Sequence, residues 1–244
     1  MKKYGLIGYP LEHSFSKKYF EEKFLNEKIT DHTYHLFPLP FIESFLPLLG
    51  ANQDLDGLNV TIPYKEAVME FLNELEDTAI AVGAVNCIKI TGTYLKGYNT
   101  DAPAFEESLK KFLISKPEQA FVLGTGGSSR AVCYVLKNMG IPYHRVSRQL
   151  GEHRIAYNEV IKKMKGSNLF VNTTPLGVFP VIENFPDIPY AKLGANDFLF
   201  DLIYNPEETV FLRKGRENGT HTKNGLEMLH LQADRSWEVW NSNA

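Results

Sequence analysis

Residues 120–140 read "AFVLGTGGSSRAVCYVLKNMG". The run up to Gly124 is continuously apolar, which predicts a strand buried on both faces inside a parallel sheet. Ala131, Val132, Val135, Leu136 and Met139 then recur at helical spacing, and Gly140 stands where a helix C-terminus is capped. Between strand and helix lies the turn Gly124-Thr125-Gly126-Gly127-Ser128. Glycines permit a tight turn and let backbone N–H groups approach a pyrophosphate, and the helix N-terminus adds partial positive charge. Ser129 occupies the place of the third glycine in G-x-G-x-x-G, so the motif is incomplete. A glycine-rich turn with no ligand is its plain alternative.

The following strand sharpens the reading. In a dinucleotide-binding unit an acid about 20 residues on holds the ribose 2′-hydroxyl of NAD. Here "PYHRVSRQ" ends on Ser147 and Arg148. A hydroxyl and a guanidinium suit a 2′-phosphate, since arginine brings charge and a fork of donors. NADP is therefore the expected cofactor, unless Arg148 is only a solvated surface residue. The rest of this half alternates in the same manner. "YNEVIKKMKG" (157–166) predicts a helix, "NLFVNTT" (168–174) and "DFLFDLIY" (197–204) strands, and "ETVFLRKGRENG" (208–219) and "GLEMLHLQADRSWEVW" (225–240) helices.

The first half also alternates strand and helix, so the chain reads as α/β. Strands are predicted at 4–9 and 33–37. A helix over 16–28 should bury Tyr19, Phe20, Phe24 and Leu25. "FIESFLPLL" (41–49) predicts a short helix ended by Gly50. "GLNVTIPYKE" (57–66) carries a third strand, with a helix expected over 64–75. "AVNCIKI" and "YLKGYN" flank a Thr-Gly-Thr turn as an antiparallel hairpin. Asp101 opens a helix to Phe112. The domain boundary is expected near residues 100–118.

Composition excludes several classes. The 244 residues carry a net charge of −3 and are 43% hydrophobic. That is enough for a sizeable core and too acidic for a broad nucleic-acid surface. The apolar stretch at the N-terminus is too short for a signal-peptide core, and no run approaches a membrane span. Two cysteines without CxxC spacing fit a reducing cytoplasm better than a disulfide scaffold or zinc site. No histidine pattern suggests a metal.

Small polar groups collect at strand ends: Ser14 and Ser16, then Asn59, Thr61 and Lys65, then Asn86, then Asn99, Thr100 and Asp101. Each has an ordinary alternative as a cap, a turn amide or a solvated side chain. Together they matter more, because ligands of open α/β sheets bind at the C-terminal ends of strands.

"HSFS", "NVTIPYK", "GAVN", "NTD", "GTGGSSR", "NTTPLG", "DLIYNP" and "NGLEML" with a following "QA" occur here in one order. In this the chain resembles the shikimate dehydrogenases, over nearly its whole length. The resemblance implies reversible NADPH-dependent reduction of 3-dehydroshikimate to shikimate, a step of aromatic amino-acid biosynthesis. It implies a substrate domain over 1–101, completed by a C-terminal helix at 225–244. A Rossmann-like NADP-binding domain would span 102–224, with the active site in the cleft between. Lys65 and Asp101 would be the catalytic pair. Ser14 and Ser16, helped by Tyr204, would hold the substrate carboxylate; Thr61, Asn86 and Gln232 the ring hydroxyls, with Asn59 close by. Gly124, Thr125, Gly126, Gly127, Ser128, Ser147 and Arg148 would bind the cofactor. Thr173, Leu202, Gly225 and Met228 would line its nicotinamide side, with Asp77 a further cofactor-side candidate. A small-molecule substrate, no nucleic acid, no membrane, and a monomer or homodimer follow.

These residue types suit the chemistry. Hydride reaching a ketone carbon leaves negative charge on oxygen, which a lysine ammonium can stabilise and protonate. Asp101 would orient that ammonium and favour its charge. Two departures stand out. Lys17 follows the second serine where the family has proline, and "VSRQLGEHR" replaces the family's Asn-Arg-Thr, with Arg154 the next base along. An NAD-using quinate/shikimate dehydrogenase and a non-catalytic shikimate or nucleotide sensor remain the rival readings.

Overall fold

The computed structural model describes residues 1–12, 14–149, 151 and 153–242. In chain order the elements are β1 (Lys2–Gly8), α1 (Ser16–Asn26), β2 (His32–Pro38), α2 (Phe45–Ala51), β3 (Leu55–Val60), β4 (Glu74–Leu75), α3 (Asp77–Val82), β5 (Cys87–Thr91), β6 (Tyr94–Tyr98) and α4 (Asp101–Phe112). There follow β7 (Gln119–Leu123), α5 (Gly127–Asn138), β8 (Tyr143–Val146), β9 (Arg154–Ile155), α6 (Val160–Lys163), β10 (Asn168–Asn172), β11 (Phe198–Asp201), α7 (Val210–Glu217), β12 (His221–Lys223) and α8 (Leu226–Asn241). Two compact units result: Met1–Asp101 with His230–Ala244, and Ala102–Leu229. Residues 225–229 thus fall with the second unit.

The first unit is built on a six-stranded mixed sheet, ordered β2-β1-β3-β5-β6-β4. Strands β2, β1 and β3 are parallel, whereas β5 joins β3 antiparallel and forms a hairpin with β6. Side-chain alternation divides the core between the two faces of the sheet. Leu58 and Val60 pack with Ile7, Phe45 and Val85. Tyr4, Leu6, Phe20, Phe24 and Tyr34 pack with Ala233 and Trp240 of α8. The Trp240 indole donates to the Ile88 carbonyl at 3.0 Å, and Gly57 leaves the room it needs: a Cβ there would strike the indole.

The second unit holds a six-stranded, all-parallel sheet ordered β12-β11-β10-β7-β8-β9. This is the doubly wound order, with its switch point between β7 and β10. Phe121, Leu123, Val146, Phe170, Leu199 and Phe211 fill one core cluster. Gly140, at φ +62°, stands one residue beyond the α5 C-cap Met139 and donates to the Lys137 carbonyl, while Ile141 donates to Leu136.

Several local expectations fail for tertiary reasons. The helix expected over 64–75 is a 3₁₀ turn (Ala67–Phe71) followed by β4. There Asn73 exchanges bonds with Leu95, its N–H donating at 2.9 Å and its Oδ1 accepting at 2.8 Å, and β4 pairs parallel with β6. The open edge of β6 outweighs helix propensity. Helix α3 is not among the expected elements. Glu76 caps it by accepting from the Ala79 N–H, and Gly83 ends it in the left-handed region. Leu25 is 78% exposed while Phe20 and Phe24 are buried. At 3.6 residues per turn Leu25 lies roughly 140° around the helix from Phe20. The segment 157–166 is only a 3₁₀ turn (Tyr157–Glu159) and the short α6. Strands β9 and β12 escape sequence reading because two or three residues carry no readable period.

Candidate functional site

In the first unit the sheet's strand ends converge on one salt bridge. The Lys65 Nζ lies 2.6 Å from Asp101 Oδ2, and the two side chains are only 13% and 7% exposed. Lys65 sits just past β3. Its carbonyl accepts from the Val85 N–H at 2.7 Å, which fixes it against the "GAVN" segment. Asp101 is the first residue of α4. Its other oxygen accepts from Asn86 Nδ2 at 3.0 Å. Asn86 in turn has its orientation locked, because its Oδ1 accepts from the Thr100 N–H at 2.7 Å. Its Nδ2 also reaches Thr100 Oγ1 at 2.9 Å and, more distantly, Gln232 Oε1 at 3.5 Å.

A buried polar chain supports this group from below. The Ser16 hydroxyl bonds Tyr34. The Tyr34 hydroxyl donates to Asn59 Oδ1 at 2.9 Å. Asn59 Nδ2 donates to Ser236 Oγ at 2.9 Å and to the Asn86 carbonyl at 3.3 Å. Ser236 and Thr100 both donate to the Gln232 carbonyl, at 2.9 and 3.0 Å. Burial pushes the Tyr34 hydroxyl well above its ordinary value, so it remains a neutral donor. Asn59 thus points inward from β3, and both its amide hydrogens are engaged within the protein. It acts under the site, holding Asn86 and α8 in register.

Ser14, Phe15 and Ser16 form the half-buried turn into α1. Ser14 Oγ accepts from the Ser16 N–H at 3.3 Å, and the Phe15 ring stacks on His230 of α8. His13 lies outside the described residues. Thr61 is half-buried just past β3, its N–H donating to the Ile7 carbonyl at 2.9 Å. Asp77 is exposed in the first turn of α3, in the first unit, beside the Glu76 cap.

In the second unit the glycine turn follows β7, and Thr173 follows β10, so both stand at the switch point. Gly124 adopts φ +115°, and a Cβ there would fall 2.6 Å from Thr173 Oγ1. A Cβ on Gly126 would meet no atom within 4 Å. Helix α5 begins at Gly127, so the glycine run forms its N-terminal approach. Ser129 donates to the Gly124 carbonyl at 2.9 Å. A hydroxyl here ties the turn shut where a third glycine would have left it open. Past β8, the Ser147 Oγ accepts from the Gln149 N–H at 3.1 Å and Arg148 is exposed.

Arg145 is a residue that sequence reading misses. Its Nη2 reaches the Thr125 carbonyl at 3.4 Å, and among the described residues its buried Nε has no partner. The β8–β9 register sets it beside Arg154. The alternation of β8 is the signal that could reveal it, since Arg145 and Ser147 share a face. An orphaned guanidinium N–H, a neighbouring arginine and open space at Gly126 fit a polyanionic dinucleotide. Leu202 and Tyr204 lie in the turn after β11; Gly225 immediately precedes α8, and Met228 lies in its first turn. The Gly225 N–H donates to the Ile203 carbonyl at 3.0 Å, and a Cβ on Gly225 would collide with the Leu202 carbonyl.

Residues 6–88 match the family model described as the shikimate dehydrogenase substrate binding domain. Shikimate dehydrogenase (NADP(+)) of Caldanaerobacter subterraneus subsp. tengcongensis is 36% identical, over 98% of this chain and 91% of the relative. This chain belongs to the shikimate dehydrogenase family. Two crystal structures of the family share its fold. The chorismate mutase/shikimate 5-dehydrogenase fusion protein of Clostridium acetobutylicum superposes with a TM-score of 0.88 at 35% identity, covering 99% of this chain and 91% of that one. Shikimate 5-dehydrogenase of Thermus thermophilus, in complex with NADP(H) and shikimate, gives 0.86 at 28% identity, covering 99% and 94%. The two α/β units are therefore the family's substrate and Rossmann-like units. Among the described residues no cluster of metal-binding side chains occurs, and no helix is long and apolar enough to cross a membrane.

Proposed function

We propose that Lys65 and Asp101 are the acid–base pair of an NADPH-dependent reduction of 3-dehydroshikimate to shikimate. The chain is an NADP-dependent oxidoreductase of its family. The observation that carries the catalytic assignment is the 2.6 Å Lys65–Asp101 contact, held from below by Asn86. NADPH, when bound, supplies the hydride. Lys65 Nζ then stabilises the oxygen that gains charge and donates its proton there. Asp101 holds the ammonium in line, and in the reverse direction the alcohol proton passes back to Lys65.

Ser14, Ser16, Thr61, Asn86 and Gln232 present the hydroxyl and amide groups that a small carboxylated polyol requires, because each buried substrate oxygen needs a partner. Gly124 through Ser128 would hold the pyrophosphate, and Ser147 and Arg148 the 2′-phosphate, with Arg145 and Arg154 adding positive charge. The chain acts on its small-molecule substrate as a monomer or homodimer, without nucleic acid, in the cytoplasm. The net charge of −3 and two buried free thiols support that setting.

The test is loss of NADPH absorbance, then of NADH, on adding 3-dehydroshikimate to purified protein. Fast oxidation of NADPH alone is expected. Equal rates with both cofactors would discard the 2′-phosphate assignment, and no turnover by folded protein would overturn the reaction itself.

A further inference from the structure

Asp201 ends β11 with its side chain fully buried, and its neighbours are neutral donors. Its Oδ1 accepts from Asn172 Nδ2 and from the Ile203 N–H, both at 3.0 Å. Its Oδ2 accepts from Thr209 Oγ1 at 2.6 Å. Thr209 is also the N-cap of α7, accepting from the Leu212 N–H. Asn172 ends the adjacent strand β10. Its Oδ1 accepts from the Thr174 N–H at 3.0 Å and the Thr174 hydroxyl at 2.7 Å, and its carbonyl accepts from the Leu202 N–H at 3.0 Å.

One carboxylate therefore joins three segments: the turn after β10, which carries Thr173; the turn after β11, which carries Leu202 and Tyr204; and the start of α7. An aspartate at this depth is costly, since burial pushes its carboxyl up to about 7 despite the bonds from Thr209, Ile203 and Asn172. The Tyr190 hydroxyl feels its charge: burial, with help from Asp201 and Asp187, pushes that hydroxyl upward. A fold needing only to stop a strand could use a neutral residue here. A buried acceptor with two oxygens can bind both turns and the helix cap together.

We propose that Asp201 is a positioning residue for the nicotinamide end of the cofactor site, setting the 173–176 and 202–204 turns relative to each other through Asn172. This rests on the reading of the second unit as the NADP-binding one. The partners of Asp201 are Asn172, Ile203 and Thr209, none of them in the glycine turn or beside Arg148. Its loss should disturb the nicotinamide end and spare the adenosine end.

The experiment compares wild type with Asp201→Ala, using two ligands and turnover. Adenosine 2′,5′-bisphosphate, which lacks nicotinamide, reports the adenosine end. NADP⁺ binding and kcat report the other. The expected result is a tenfold or greater fall in kcat with weaker NADP⁺ binding, and adenosine 2′,5′-bisphosphate affinity within threefold of wild type. Asp201→Asn should rescue most of the loss, because its carbonyl can still accept from Asn172 and Ile203 while its amide replaces the second oxygen beside Thr209. Loss of both ligands together, or unchanged kcat and NADP⁺ binding, would overturn the proposal. If Asp201→Ala does not fold, Thr174→Val cuts the same chain at its outer end, and the same split between the two ligands is required of it. If wild type shows no turnover, the assigned reaction fails, but the two-ligand comparison still tests Asp201 by itself.

Discussion

Replacing Lys65 by alanine tests the catalytic assignment most directly. The substitution removes an ammonium 2.6 Å from Asp101 Oδ2 and leaves a carboxylate only 7% exposed. Breaking a fully buried pair costs roughly 3–5 kcal/mol. Asp101 keeps its bond from Asn86, and the Lys65 side chain is 13% exposed, so water can enter the vacated space. A stability loss of about 2–3 kcal/mol is the reasonable figure. For a chain of this size it lowers Tm by roughly 4–12 °C. The kinetic loss should be larger. A missing acid–base group costs about 10²–10⁴ in kcat, or roughly 2.7–5.4 kcal/mol of transition-state stabilisation. The KM for 3-dehydroshikimate should move much less, because the hydroxyl and amide groups proposed to bind substrate remain. The assay is steady-state NADPH oxidation at a temperature where circular dichroism shows Lys65→Ala to be folded. Lys65→Met, which keeps the stem's packing, separates charge from volume. Lys65→Ala combined with Asp101→Asn should lose little more than the worse single variant, as groups acting as one unit do. A folded Lys65→Ala with kcat within threefold of wild type would refute the mechanism.

Three further outcomes are expected. Arg148→Ala should raise KM for NADPH about ten- to a hundredfold, the value of a charge-assisted bond or two, and leave NADH nearly unchanged; equal losses for both would remove Arg148 from the 2′-phosphate. Gly124→Ala forces a side chain into φ +115° with its Cβ 2.6 Å from Thr173 Oγ1. Strain of roughly 1–3 kcal/mol should lower Tm and weaken NADPH together, whereas an unchanged Tm and KM would show that the turn relaxes freely. Asp201 binds its proton more tightly folded than unfolded, its carboxyl being held at about 7 by burial. Its contribution to stability is therefore complete below about pH 4 and is lost as pH rises toward 7, by at most roughly 4 kcal/mol. Asp201→Asn should flatten the dependence of Tm on pH across that window; an unaltered slope in Tm would exclude Asp201 as its source.

How far the chain can be read without its structure depends on where the information lies. The strand–turn–helix at 120–140 is legible because its periods and its glycines are local, and residues within one turn of each other settle them. The pairing of Lys65 with Asp101 is inferred from motif order, since 36 residues separate them and no spacing rule joins them. Local periodicity misleads where a distant partner supplies more energy. The 64–75 segment has helical content, yet the edge of β6 takes its end as a strand. Leu25 looks like core until the direction of α1 is known.

Residue chemistry and local period are properties of the chain itself: the α/β class, the glycine turn with an arginine where an acid would otherwise stand, and the side-chain types a keto-acid reduction needs. The role each group plays depends on what lies across the sheet. Asn59, read as a substrate neighbour, faces inward and donates its amide to Ser236 and Asn86. Arg145 reaches the glycine turn because β8 lies beside β7. Asp201 meets Asn172 because β11 lies beside β10. A hydrogen bond is satisfied only at about 3 Å, and that distance between residues far apart in the chain exists only once the strands have paired.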